Sequence, residues 1–190
     1  MLSEEEAAKA TQTVGDIADA AGIPWAIVGG YALNLYDGPR MTKDVDIIAP
    51  QLLPEQQNII VGPLKQGGVR YGVQVGELMV GVDWIVRADA ARVFYQTALR
   101  DATEINGWPI ITPEWLVILK AIAGRFKDQE DSIWLLRQKG LVNRKLIKSH
   151  IVALKGVDGW ALFSATMFRW FDLADGKIRD GDENESYRRL

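Results

Sequence analysis

Ile27-Val-Gly-Gly-Tyr-Ala-Leu-Asn-Leu-Tyr-Asp-Gly-Pro-Arg-Met-Thr-Lys-Asp-Val-Asp-Ile-Ile48 is the stretch that decides the fold. It enters from Trp25 as a short apolar strand, turns at Gly29-Gly30, and reads as a short helix from Tyr31 to Tyr36 that stops near Gly38-Pro39. Thirteen residues separate Gly30 from Asp44, where Asp44-Val-Asp-Ile-Ile48 alternates acidic and apolar residues before becoming fully apolar. With a period of two, Asp44 and Asp46 leave one face of a strand while Val45 and Ile47 turn into the core. Pro50 ends it.

Working outward, Ser3 and Glu6 form a capping-box pattern, and Ala7, Ala10, Val14, Ile17, Ala18 and Ala21 continue as a helix closed by Gly22. Downstream, the pattern predicts a helix over 54–66, then a hairpin whose arms are 69–75 and 77–86, with Asp83 inside the second arm. A helix over 88–99 follows, then a short strand or loop over 102–111 interrupted by Gly107 and Pro109. Thr112-Pro113-Glu114 is a strong helix start, and helices are predicted at 113–125, 128–139, 143–154 and 159–173, with stops at Gly140 and Gly156. The fold class is therefore α+β. A small mixed-sheet core over 1–111 precedes a C-terminal helical bundle over 112–174, and a polar tail over 175–190 is expected to be flexible.

Composition narrows the chemistry. The 190 residues are 48% hydrophobic and 25% charged, as in a soluble globular chain. No apolar run reaches the roughly 18 residues of a membrane span, and the N-terminus opens with Ser3-Glu4-Glu5-Glu6, so a cytoplasmic protein with no membrane partner is expected. There is no cysteine and one histidine, His150, so any metal must be held by oxygen. Residues 1–119 hold 8 Lys/Arg against 15 Asp/Glu, whereas residues 120–170 hold 10 against 4. An acidic, metal-attracting half thus precedes a basic half suited to a polyanion such as a nucleotide or nucleic acid.

Two carboxylates on one face repel, and a hard cation such as Mg²⁺, which takes oxygen ligands, relieves the repulsion. Asp83 lies in the apolar run Val80-Gly-Val-Asp-Trp-Ile-Val86, where a carboxylate is costly without a partner or metal, and it is the natural third ligand. Asp44, Asp46 and Asp83 are accordingly the candidate catalytic and metal-binding set, able to hold one or two Mg²⁺ ions for in-line phosphoryl transfer. Gly29 and Gly30 let backbone N–H groups approach phosphate oxygens; Arg40 can bind phosphate bidentately and Thr42 can hydrogen-bond it. Each residue also has a plainer reading. Asp44 and Asp46 suit the solvent face of an edge strand, and Asp83 suits an ion pair.

The segment from Ile27 to Ile48 resembles the signature of the DNA polymerase β-like nucleotidyltransferase superfamily: an apolar residue, Gly-Gly, a spacer, then Asp-x-Asp. Gly-Gly-x-Ala-Leu and Arg40-x-Thr42-x-Asp44-x-Asp46 look most like the AbiEii-type toxin branch and its uncharacterised relatives. A second anchor, Lys120-Ala-Ile-Ala-Gly-Arg-Phe-Lys-Asp128 followed by Asp131, is similar to a helical motif of that branch. The resemblance implies a nucleotidyltransferase core and an Mg²⁺-dependent enzyme that transfers NMP from an NTP. Its acceptor would be a hydroxyl on tRNA or another RNA end, or on a small molecule or a protein, with a cognate partner in a toxin–antitoxin setting. It also implies that Lys120 contacts the triphosphate, with Lys127 and Asp128 beside it. The different-class alternative is a non-catalytic antitoxin or partner-binding module of the same fold. By helical spacing alone, Lys120 and Arg125 suit a solvated helix face, and Lys127, Asp128 and Asp131 a local network of charged pairs. Arg144, Lys148 and Lys155 form a basic stripe that could guide RNA or simply face solvent.

Overall fold

The computed structural model describes residues 1–54 and 59–179. It divides into two compact units, Met1–Thr112 and the chain from Pro113 onward. The first unit begins with α1 (Glu4–Ala20), whose start is closed by the Ser3–Glu6 capping box that the sequence predicts. Its strands are β1 (Ala26–Val28), β2 (Asp44–Ile48), β3 (Ile60–Pro63), β4 (Gly68–Val75), β5 (Leu78–Ile85), β6 (Thr103–Ile105) and β7 (Trp108–Ile110). Two further helices complete the unit, α2 (Gly29–Leu35) and α3 (Arg92–Arg100).

The strands make one mixed seven-stranded sheet in the order β3-β4-β5-β2-β1-β7-β6. The pairs β2–β5 and β1–β7 are parallel and the others antiparallel. This is the expected mixed-sheet α+β core. Alternation along β2 and β5 sends Val45, Ile47, Val82 and Trp84 fully into the core and leaves Asp44, Asp46 and Asp83 on the opposite face. Behind the sheet, α1 packs on β2, β4 and β5 through Ala7, Ala10, Val14 and Ala18. Gly15 on the same helix leaves room for the Trp25 ring: a Cβ there would come within 2.5 Å of it.

Two expectations need correction. The helix predicted over 54–66 is absent where the chain is described: Ile60–Pro63 is an edge strand paired with β4, while 55–58 lie outside the described residues. Ile60 and Val61 are β-branched, and pairing with a neighbouring strand overrides the helical spacing. The 102–111 segment is a complete hairpin, turning at Asn106 (φ 52°) and Gly107 (φ 82°), the two-residue turn that Asn-Gly favours.

The second unit holds α4 (Pro113–Ala123), α5 (Phe126–Arg137) and α6 (Arg144–Ala174). All three pack on one another, and the buried Glu114 carboxylate accepts the Asn143 backbone N–H at 2.7 Å, tying the start of α4 to the cap of α6. The predicted stop at Gly156 appears as a break inside α6, where the backbone leaves helical geometry (φ 70°, ψ −173°). By length and composition α6 is apolar enough to cross a membrane, which single-residue runs in the sequence do not reveal. The predicted tail begins in order: Asp175 is held by Arg144 through two hydrogen bonds of 2.6 and 3.0 Å, and Lys177 joins the cluster. Arg144, and then Lys177, lower the Asp175 carboxyl to about 2. Residues 180–190 of that tail lie outside the described residues.

Candidate active site

Register builds the site. In the parallel pair β2–β5, Asp46 stands level with Asp83 and Asp44 with Gly81. In the antiparallel pair β4–β5, Asp83 stands level with Arg70. One row across three strands therefore reads Asp46, Asp83, Arg70, and the row two residues away begins with Asp44 and Gly81. The three aspartates that the sequence predicts are thus placed on one face of the sheet, at adjacent positions.

Gly29 explains how Asp46 fits. Val28, at the end of β1, pairs with Asp46, so the chain turns directly beside that carboxylate. Gly29 has φ +72°, and a Cβ on it would lie 2.1 Å from an Asp46 carboxylate oxygen. Any side chain here would meet both a left-handed backbone and the Asp46 side chain. Gly30 is less constrained: its Cβ would sit 3.4 Å from Arg40 Cγ and 3.6 Å from Thr42 Oγ1. The glycine pair therefore makes room first for the site's own carboxylate and second for the Arg40–Thr42 segment. Gly29→Ala is expected to displace Asp46 and to lower both melting temperature and any activity that uses Asp46, whereas Gly30→Ala should fold nearly as well as the parent. A thermal melt of the two variants compares them directly.

Thr42 is a brace. Its hydroxyl donates to the Asp44 carbonyl at 2.5 Å and accepts the Asp44 N–H at 3.3 Å, fixing the backbone where the acidic strand begins. Arg40 lies against Gly30 on the same segment.

Arg70 is the residue that sequence reasoning missed. Its Nε donates to one Asp83 oxygen at 2.5 Å, and one terminal nitrogen donates to the other Asp83 oxygen at 2.9 Å and to Asp44 at 2.8 Å. The guanidinium is a bidentate fork on Asp83 that also bridges to Asp44. Asp83, with a side chain 10% exposed, gives it the stronger attachment, while Arg70 and Asp44 are partly exposed. The Asp83 hydrogen bond, opposed by burial and assisted by both aspartates, holds the Arg70 pKa above its ordinary value.

Oxygen donors on one sheet face suit a hard cation, and Arg70 is a positive charge standing among them. The arrangement as described does not close around a metal: among the described residues, no three Asp, Glu, His or Cys side chains converge closely enough to hold an ion. The three aspartates thus share one face without converging as a ligand set, and an arginine stands between two of them.

The remaining predicted site residues lie in the helical unit. Lys120 is buried, 2.6 Å from Asp131 and 3.8 Å from Asp128. Asp128, 1% exposed, sits in the first turn of α5 and accepts from the Arg125 backbone N–H and guanidinium at 2.7–3.1 Å. Lys120, Asp128, Asp131 and Arg125 therefore form a charge network joining α4 to α5, the local-network alternative noted for Asp128 and Asp131. Lys127 is exposed on α5. Of the basic stripe, Arg144 is engaged by Asp175 and Lys148 lies over the Trp160 ring at 5.7 Å. His150 stacks on Trp115, with ring centroids 4.5 Å apart.

No family model matches the chain, and neither does any curated protein. Among solved structures it is similar to an antigenic nucleotidyltransferase-like protein from Paracoccidioides brasiliensis, at 19% identity over 87% of this chain and 94% of that one, with a TM-score of 0.48. It is also similar to JHP933 from Helicobacter pylori, at 17% identity over 92% of each chain and a TM-score of 0.48. A third likeness is to the antibiotic-resistance factor ANT(2'')-Ia, at 15% identity over 90% of this chain and 98% of that one, with a TM-score of 0.37. These likenesses, all with TM-scores below 0.5, assign no role to the chain.

Proposed function

We propose that the chain is a nucleotidyltransferase that moves a nucleoside monophosphate from an NTP to a hydroxyl acceptor and releases pyrophosphate. The observation that carries this reading is the placement of Asp44, Asp46 and Asp83 on one face of adjacent strands, with Gly29 stripped of a side chain beside Asp46. Mg²⁺ would be held by these carboxylates once Arg70 no longer stands between Asp44 and Asp83, and would neutralise triphosphate charge and lower the pKa of the attacking hydroxyl. The chain's own residues supply position. Thr42 fixes the backbone at Asp44, Arg40 beside Gly30 would bind phosphate, and Asp83, once released by the Arg70 fork that occupies both its oxygens, would accept the acceptor's proton. The acceptor oxygen bonds to the α-phosphorus as the bond to the pyrophosphate oxygen breaks. Membership of the AbiEii-type branch, and with it an RNA-end acceptor and a toxin–antitoxin partner, is the finer reading that the two sequence anchors favour.

Incubation with Mg²⁺, each α-³²P-labelled NTP and total tRNA, small hydroxyl-bearing antibiotics or protein tests this. Label on any one acceptor, with matching pyrophosphate, identifies the acceptor class. A second reading draws on a specific observation: Arg70 already supplies charge to Asp44 and Asp83, as suits a module of this fold that binds a nucleotide or a partner protein without turnover. Binding of NTP without label on any acceptor would select it.

A further inference from the structure

We propose that Arg70 is the resident cation of the carboxylate site, so that a divalent ion enters by exchange and displaces it. The inference rests on the reading of Asp44, Asp46 and Asp83 as the metal ligands, and concerns what controls their occupancy.

The seat is built for the guanidinium. Arg70 starts in the row of Asp46 and Asp83, yet reaches Asp44 in the next row by crossing diagonally over β5. The residue it crosses is Gly81, level with Asp44, and a Cβ on Gly81 would lie 3.5–3.6 Å from Arg70 Cδ, Nε and Cζ. Gly81 thus lies directly under the arginine, with room for a Cβ in ordinary contact but not for a larger side chain.

Charge makes the two occupants exclusive. One guanidinium balances one of the three carboxylates on this face, whereas a divalent ion balances two. A guanidinium and a divalent ion held by the same oxygens would repel at close range. The Arg70 side chain is 40% exposed, so it can leave its seat without unpacking the core. Once displaced, its fork remains on the same face, where phosphate oxygens of a bound nucleotide would offer it new acceptors. Arg70 therefore lowers the affinity for the bare ion and favours the ion that arrives with a triphosphate.

The test measures Mn²⁺ binding to the full chain by the electron-spin-resonance signal of free Mn²⁺, without substrate. Arg70→Ala is expected to bind Mn²⁺ at least about tenfold more tightly than the parent; equal or weaker binding overturns the proposal. Because Arg70→Ala leaves Asp83 buried beside no guanidinium and can fail to fold, Gly81→Val provides the second arm. It keeps the arginine but crowds its seat, and tighter binding is again expected, with unchanged or weaker binding counting against exchange. In the parent protein, the ¹⁵N-detected Arg70 Nε–H should be slow to exchange with water and become fast on adding Mg²⁺; persistence at saturating Mg²⁺ overturns displacement. Nucleotidyl transfer is scored separately. Tighter Mn²⁺ binding without transfer to any acceptor removes the transferase reading and leaves the exchange, whereas transfer by the parent with unchanged affinity in the variants does the reverse.

Discussion

Asp46→Asn should reduce nucleotidyl transfer by at least about 10²–10³-fold, the scale on which losing one preorganised electrostatic partner of a transition state is felt. The substitution keeps size and shape, so the close fit of this side chain against Gly29 survives, and the melting temperature should stay near that of the parent. Asp83→Asn should match it in activity but not in stability. Asp83 is the carboxylate on which the Arg70 fork closes, and its side chain is 10% exposed, so an amide there leaves a guanidinium facing a poorer acceptor. Transfer rates and melts of the two variants side by side separate chemistry from folding. If Asp46→Asn transfers label at the parental rate, the carboxylates have no part in the reaction.

The acidic strand was legible because alternation is a local signal: Asp44, Val45, Asp46 and Ile47 announce their faces without reference to any partner. The third aspartate was legible for a similar reason, as an acid in an apolar run. Arg70 was not, because its role depends on pairing with Asp83, thirteen residues on, and Asp44, twenty-six residues back. A signal did exist. The hairpin turns on the two residues Gly76-Glu77, with Val75 paired to Leu78, and counting outward from that turn brings Arg70 opposite Asp83. The Asn106-Gly107 turn was an equally available signal, obscured by Pro109 within the following strand. The edge strand β3 was the hardest, since its state is set by β4 rather than by its own spacing. At Gly29 the sequence pointed to phosphate approach, whereas the nearest demand on that glycine is the Asp46 carboxylate.

Lys120→Ala should destabilise the helical unit by about 3–5 kcal/mol, the usual cost of removing one partner from a buried ion pair. The ammonium is 7% exposed and the Asp131 side chain 8%, with 2.6 Å between them, so alanine leaves the Asp131 carboxylate buried without its ammonium. Asp128 is affected less, because Arg125 holds it through both backbone and side chain. Replacing both members of the pair, as Lys120→Met with Asp131→Leu, should recover much of the loss, because no buried charge is then left uncompensated. A lysine whose work is to contact triphosphate behaves in the opposite way: its removal weakens NTP binding and barely moves the melt. Measuring urea unfolding and NTP affinity on the same Lys120→Ala protein decides between the two. A loss of a few kcal/mol in unfolding assigns Lys120 to the joint between α4 and α5. An unchanged unfolding midpoint with weakened NTP binding returns it to the nucleotide site that the sequence motif implies.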